Sequence, residues 1–313
     1  MSRVVTLGES MGLVLGDGVG GWEHTSEAHV ATGGAEGNTA IGLSRLGVGV
    51  TWLGRVGDDA LGRRVVGDLR SEGVDVRARI DAEAPTGLML KSTPRAGATT
   101  VDYYRRGSAG SRLEPADLDD LPLRAGDILH VTGVTLALSA SARETVVVAV
   151  DRAREVGAFV SFAINHRSRL WGHAEAIAAY AHVIARTDIL FASDDEARMM
   201  HPHVDPADLA RALSAAGPAE TMVTLGGDGA VAVIDGEVHR VPAVPITPVD
   251  TVGAGDAFAA GYLSERVAAS DATTRLRTAA VAGAYACLHP GDWQGGIRRS
   301  ELASAGSTDP VTR

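Results

Sequence analysis

Short apolar runs and amphipathic stretches alternate along this chain, with turn residues between them. Val4–Leu7, Thr51–Val56, Ile128–Thr132, Phe159–Phe162, Ile189–Ala192, Met222–Leu225 and Val231–Ile234 predict strands of the kind buried on both faces. Asn38–Leu46, Asp58–Glu72, Ala140–Val156, Pro206–Ala216, Gly255–Ala268 and Arg275–Leu288 have helical spacing, and Gly47, Gly73 and Gly157 stop the helices before them. This alternation predicts an α/β fold: a mostly parallel sheet with helices on both faces and ligands at the carboxyl ends of its strands. Two stretches break the pattern. Leu13–Val30 has no helical period, and Gly87–Lys91 and Thr99–Tyr104 are strand-like runs around Pro94-Arg95-Ala96-Gly97. They predict a small antiparallel flap, residues 13–30 and 87–105, inserted in an α/β body of residues 1–12, 31–86 and 106–313. The polar segment Ser300–Arg313, with Pro310, is expected to fray.

Composition narrows the function classes. A net charge of −10 opposes nucleic-acid binding, which needs a basic face. The single cysteine, Cys287, excludes an intramolecular disulfide and a Cys-rich zinc site. No apolar run is long enough for a membrane helix, and Met1–Gly8 lacks the basic start and apolar stretch of a signal peptide, so the expected compartment is the cytoplasm. Of the 29 cationic residues only Lys91 is a lysine. A mechanism that grips phosphate with lysine must therefore use Lys91.

Several motifs fail on context. Gly16-Asp17-Gly18-Val19-Gly20-Gly21 satisfies G-x-G-x-x-G, but no helical period follows it, as a dinucleotide loop requires. Lys91-Ser92 follows Leu90 rather than glycine, so there is no Walker A loop. His201-Pro202-His203 lacks a second metal-ligating motif and is expected to be a solvated loop.

Two motifs hold. Asp250-Thr251-Val252-Gly253-Ala254-Gly255-Asp256-Ala257-Phe258-Ala259-Ala260-Gly261 follows an extended stretch and opens a helix. A small-residue turn there exposes several backbone N–H groups, which with the helix dipole make an anion hole without lysine. Asp256 falls in the first helical turn, where a carboxylate can take a proton from an attacking hydroxyl. Gly33-Gly34-Ala35-Glu36-Gly37-Asn38 also precedes a helix. Its glycines admit a ligand close to the backbone, and Asn38 offers a donor and an acceptor to hydroxyls.

Together, and in this order, the two motifs resemble the signatures of the ribokinase-like sugar kinases, the PfkB family. The resemblance spans nearly the whole chain. It implies a ribokinase-like three-layer sandwich with a small β-sheet lid, ATP with Mg²⁺, and Asp256 as base, with Gly253, Ala254 and Gly255 forming the catalytic anion hole. Thr224-Leu225-Gly226-Gly227-Asp228-Gly229-Ala230 is similar to the family's nucleotide loop. By the same likeness Asn165, Ser193, Thr224, Gly226, Gly227, Gly229, Gly253 and Gly255 would meet the nucleotide. Glu196 would help to place Mg²⁺ through water, and Asp250 and Val252 would hold a monovalent cation such as K⁺.

Within the family, four stretches are similar to 2-keto-3-deoxygluconate kinases: Gly33 to Asn38, Tyr103 to Ser111, Thr132 to Leu138 and Asn165 to Trp171. That likeness implies substrate contacts from Gly33, Gly34, Asn38, Tyr103, Arg105, Val134, Arg167, Asp256 and Asp292. Arg105 and Arg167 would pair with the acid end, as planar guanidiniums do with carboxylates. The chain departs from this pattern at Met89, where a second Tyr is usual, at Ala163, where Asp is usual, and at Ser193, where Asn is usual. The expected activity is ATP-dependent phosphorylation of a primary hydroxyl on a keto sugar acid, foremost 2-keto-3-deoxygluconate to its 6-phosphate. The alternatives are a kinase of the same family for a neutral sugar (fructose or ribose) or a nucleoside, a non-catalytic sugar- or nucleotide-binding relative, and, more distantly, a dehydrogenase. The open edges of the lid strands predict a homodimer through the lid.

Overall fold

The computed structural model describes residues 3–95, 98–202, 205–303 and 305. Ala96, Gly97, His203 and most of the Ser300–Arg313 tail, which carry expectations above, lie outside them. Among the described residues thirteen strands run in chain order: β1 (Val4–Leu7), β2 (Met11–Gly16), β3 (Ala28–Gly33), β4 (Val50–Gly57), β5 (Asp75–Asp81), β6 (Leu88–Arg95), β7 (Ala98–Tyr104), β8 (Ile128–Thr132), β9 (Phe159–Ala163), β10 (Ile189–Ser193), β11 (Glu220–Thr224), β12 (Ala230–Ile234) and β13 (Glu237–Val241). The helices are α1 (Ala35–Arg45), α2 (Ala60–Ser71), α3 (Gly133–Leu138), α4 (Ala140–Glu155), α5 (His173–Ile184), α6 (Asp194–Met200), α7 (Pro206–Ser214), α8 (Ala254–Val267) and α9 (Ala272–Ala286).

Nine strands form one sheet in the order β13-β12-β11-β10-β9-β8-β1-β4-β5. It is parallel from β5 to β11, and β12 and β13 extend it antiparallel. Side chains alternate between two cores, one on each face. Val5 and Leu7 join Leu129, Val146 and Phe162 on one side, whereas Val4 joins Trp52, Phe191 and Tyr262 on the other. The layers are helix, sheet, helix, as the buried strand pattern predicts. β4 and β8 flank β1, so the chain builds outward from β1 in both directions and leaves a crevice at the carboxyl ends of the central strands.

The remaining strands form a second sheet in the order β3-β2-β6-β7. Its extent corrects the expected flap, because β2 starts at Met11 and β3 runs on to Gly33. It is also not wholly antiparallel: β2 and β6 pair in parallel, with Leu13 opposite Met89 and Leu15 opposite Lys91. Parallel pairing is possible here because α1, β4, α2 and β5 lie between the two strands and supply the long crossover. Met11, Leu13, Ala31 and Met89 form its own small core. Gly16 ends a strand, and no helix follows the G-x-G-x-x-G run, so the dinucleotide-loop geometry is absent there.

Helix starts differ from expectation for local reasons. α1 begins at Ala35, inside the Gly33–Asn38 motif, because Gly34 takes φ 135° and its carbonyl already accepts from Asn38 N–H at 2.8 Å. β5 is a half-exposed edge strand whose alternating charged residues leave no apolar run to predict it.

Candidate active site

The candidate base lies at the amino end of α8. Gly253 caps that helix in the left-handed region, φ 83°, and a Cβ there would overlap the backbone carbonyl of Asp292. Only glycine fits both demands. The first N–H groups of a helix have no intrahelical partner, and here that of Ala254 donates to the Thr251 carbonyl at 3.3 Å; a turn of this kind is suited to bind an anion.

Asp256 is gripped by two amides from distant parts of the chain. Asn38 on α1 donates from Nδ2 to Oδ2 at 2.9 Å, and Asn165, just after β9, donates from Nδ2 to Oδ1 at 3.3 Å. Asn165 holds a strained φ of 40° to do this. The Asp256 carboxyl is pushed up to about 7, chiefly by burial and, to a lesser degree, by the carboxylate of Asp292; the amides of Asn38 and Asn165 and the charge of Arg167 oppose the rise. A carboxylate poised near neutrality suits a general base better than an ordinary aspartate.

The two glycine motifs meet at this base. Gly33 ends β3 where a Cβ would strike Met89 Cε and the Asp292 carboxylate, and a Cβ on Gly34 would strike the Glu9 carbonyl. Asp292 is buried, which raises its pKa, and the ammonium of Lys91 opposes that rise. Lys91 Nζ lies 3.1 Å from Asp292 Oδ1 and forms an ion pair with Asp250 Oδ2. Asp250 Oδ1 also accepts from Val252 N–H at 3.1 Å.

A cavity of about 620 Å³ opens between the second sheet and the β9–α5 loop, whose His166 and Arg167 directly follow Asn165. Tyr103, Arg105, Arg106, His166, Arg167 and Arg169 line it. Arg105 is buried and committed to Glu9: its Nε donates to Glu9 Oε2 at 2.7 Å, and Ser108 Oγ donates to Glu9 Oε1 at 2.5 Å. The Arg105 guanidinium also stacks 5.4 Å from the Tyr103 ring centre. Arg169 lies 3.5 Å from Asp102. Arg106 and Arg167 are exposed; Arg167 Nη1 donates to the His166 carbonyl at 3.0 Å, and its charge favours the ionised form of Asp256. Val134 lies inside α3 with its N–H donated to Thr132 Oγ1 at 3.1 Å, and its side chain is buried.

A second cavity, of about 460 Å³, is lined in part by Ala254, Gly255 and Phe258 of α8. Thr224, Gly226, Gly227 and Gly229 form one wall, with Gly255 at its floor and Phe258 and α9 opposite. Gly226 and Gly229 take φ 58° and 94°, which turns the backbone sharply after β11. Ser193 and Glu196 cap α6 reciprocally, Ser193 N–H donating to Glu196 Oε2 at 2.9 Å. Glu196 Oε1 accepts from His166 N–H at 2.7 Å, which ties α6 to the residue after Asn165. Among the described residues no cluster of three or more His, Cys, Asp or Glu could hold a metal ion by itself, and no helix is long and apolar enough to cross a membrane.

Sequence reasoning missed Glu9, Arg106 and the placement of Lys91. Glu9 follows β1 without any motif. Arg106 was within a quoted segment, but nothing local marks which of adjacent arginines faces a cavity. Ala163 packs in the core with Phe191 and Phe258, so the usual acid at that position has been replaced by an apolar contact.

A buried carboxyl at a helix amino end, with a cavity running from that end to a glycine turn after β11, suits phosphoryl transfer. The pfkB family carbohydrate kinases match residues 1–295 of the chain. The 2-dehydro-3-deoxygluconokinase of Bacillus subtilis (strain 168) is 34% identical over 308 residues, covering 96% of this chain and 94% of that protein. The fructokinase of Klebsiella pneumoniae is 36% identical over 256 residues, 80% of this chain and 82% of its own. The crystal structure of a PfkB protein from Polaromonas sp. JS666 superposes with a TM-score of 0.87 at 33% identity, over 97% of this chain and 100% of that one. A fructokinase double mutant from Vibrio cholerae O395, with fructose, ADP and potassium ion bound, gives 0.87 at 26% identity over 97% and 98%. The chain belongs to the pfkB family of carbohydrate kinases. It is a phosphotransferase with a sugar hydroxyl as acceptor.

Proposed function

We propose that the chain transfers the γ-phosphoryl group of ATP to the terminal hydroxyl of a keto sugar acid, foremost 2-keto-3-deoxygluconate. The observation that carries the acid class is the cavity lined by Tyr103, Arg106 and Arg167, where both guanidiniums are exposed and neither is held in an ion pair among the described residues. A bound sugar acid would supply a carboxylate for them. The similarity to 2-dehydro-3-deoxygluconokinase supports the same reading.

The chemistry divides between the two cavities. The sugar sits on the Gly33–Gly34 backbone under the second sheet, its acid end toward Arg167 and Tyr103, and its hydroxyl toward Asp256. Asp256 removes the hydroxyl proton, while Asn38 and Asn165 keep its two oxygens in place. ATP lies along Thr224–Gly229, and the N–H groups at Gly253–Asp256 stabilise the charge on the phosphoryl group in transfer. Positioning and electrostatics carry most of such a reaction. Mg²⁺ fits this site through Glu196: each of its oxygens accepts one backbone N–H and keeps a further lone pair for a bound water. When bound, the ion neutralises charge on the phosphates. The second sheet acts as the lid that excludes water. Its outer strands β3 and β7 have unpaired edges and expose Val30 and Tyr104, which supports a homodimer through the lid.

A second reading is a kinase for a neutral sugar such as fructose. Its support is that Arg105, one of the two arginines expected to hold the acid, is already paired with Glu9, and that a fructokinase is among the similar proteins. An ADP-release assay over sugars and sugar acids decides between them. Arg167→Ala is expected to impair acid substrates alone; wild-type turnover of fructose at the rate of the acids would sink the acid reading.

A further inference from the structure

The one lysine of the chain is buried behind the anion hole. Lys91 sits on β6 of the lid sheet, yet its side chain is only 5% exposed, and its ammonium lies between the carboxylates of Asp250 and Asp292. Those two side chains are 6% and 5% exposed. Asp250 lies three residues before Gly253, and the Asp292 carbonyl lies against the Gly253 α-carbon. The three charges thus form one cluster directly behind the turn that opens α8.

Two buried carboxylates side by side repel unless one takes a proton or a cation lies between them. A monovalent metal ion at Asp250 and Val252 would be such a cation, and the Vibrio cholerae fructokinase holds a potassium ion. Here the donor set does not suit one. Asp250 Oδ1 accepts from Val252 N–H, and Oδ2 accepts from Gly291 N–H at 3.3 Å and pairs with the Lys91 ammonium. An incoming ion would have to displace or adjoin a fixed positive charge. We propose that Lys91 is the resident cation of this site, a positioning residue that holds Asp250 and Asp292, and through them the Gly253 turn, so that phosphoryl transfer needs no bound monovalent metal ion. An ammonium suits the role as a compact point charge with three donors for two carboxylates. Because Lys91 belongs to β6, the same ion pair also joins the lid sheet to the anion hole.

The proposal rests on the kinase reading above, and its test separates the two. Wild-type enzyme is assayed with Mg²⁺ and the Tris salt of ATP, while KCl replaces tetramethylammonium chloride at constant ionic strength. Turnover is expected to change by less than about twofold, whereas an activation of about tenfold or more by K⁺ overturns the proposal. Lys91→Met, which keeps the apolar stem, is expected to lose about 10²-fold in turnover, as for loss of one anion-hole donor, and to regain part of it with K⁺ or ammonium. Wild-type turnover in Lys91→Met would also overturn it. A binding readout needs no turnover: melting temperature in the same two salts. K⁺ is expected to stabilise Lys91→Met and leave the wild type unmoved, and a K⁺-specific stabilisation of the wild type overturns the proposal. If Lys91→Met does not fold, the two wild-type measurements still decide. If no sugar is phosphorylated at all, the kinase reading falls while the melting comparison still tests the cation.

Discussion

Asn38 Nδ2 lies 2.9 Å from Asp256 Oδ2, a contact between residues 218 positions apart. It joins the first glycine motif to the second and fixes the side chain on which the chemistry turns. Because the amide favours the charged form of a carboxyl held up at about 7, the strength of the base depends on this bond. Asn38→Ala is expected to raise the pKa of Asp256. The acidic limb of the kcat/KM–pH profile, near pH 7 in the wild type, should then move to higher pH. An unmoved limb would show that another group sets it.

Asp256→Asn removes the proposed base and keeps the shape. Turnover should fall by about 10²- to 10⁴-fold, while ATP and sugar still bind in calorimetry. The same variant has a stability signature. The folded pKa of about 7 lies above the ordinary 3.8, so the folded state holds this proton more tightly than the unfolded chain. Its contribution is fully present below about pH 4 and is lost as pH rises through about 7. Asparagine has no such proton to lose. The melting temperature of Asp256→Asn relative to wild type should therefore rise between pH 5 and pH 8, and a constant difference would refute the burial effect.

Glu9 and Arg105 form a buried pair, with side chains 1% and 8% exposed. Removing one partner strands the other charge. Glu9→Ala is expected to cost about 3–5 kcal/mol in denaturant unfolding, since the guanidinium is left without its carboxylate. Combining it with Arg105→Met should cost less than the two single changes added together. Additive costs would mean that the pair is not coupled.

Gly253→Ala tests the turn itself. The residue would need φ 83° and would place its Cβ against the Asp292 carbonyl, so the turn must shift. If the N–H groups on that turn form the proposed anion hole, turnover is expected to fall by about 10²-fold or more. Gly255→Ala meets no atom within 4 Å and serves as the control for stability. Equal melting temperatures with unequal rates would place the effect in the hole.

The alternation of apolar runs and helical periods was enough to read the layered α/β architecture, because strands buried on both faces have few other interpretations. Asp256 and the two glycine motifs were legible because backbone demands at Gly34 and Gly253 constrain residue type locally. β5 was not legible, since an exposed edge strand of alternating charges leaves no apolar run to predict it. The parallel pairing of β2 with β6 was also hidden, because register between strands separated by a long crossover leaves no local trace.

What the sequence determined alone was the class of chemistry: a helix amino end lined with small residues, an aspartate in its first turn, and a second glycine motif before another helix. Tertiary structure decided which side chains face one another. Along the chain Lys91 is only the single lysine, with no partner marked, yet folding places it between the carboxylates of Asp250 and Asp292. Arg105 reads as a free guanidinium, yet folding closes it on Glu9. Charge balance inside a protein is a property of distances a few ångströms long between residues far apart in sequence, and only the packed fold sets those distances.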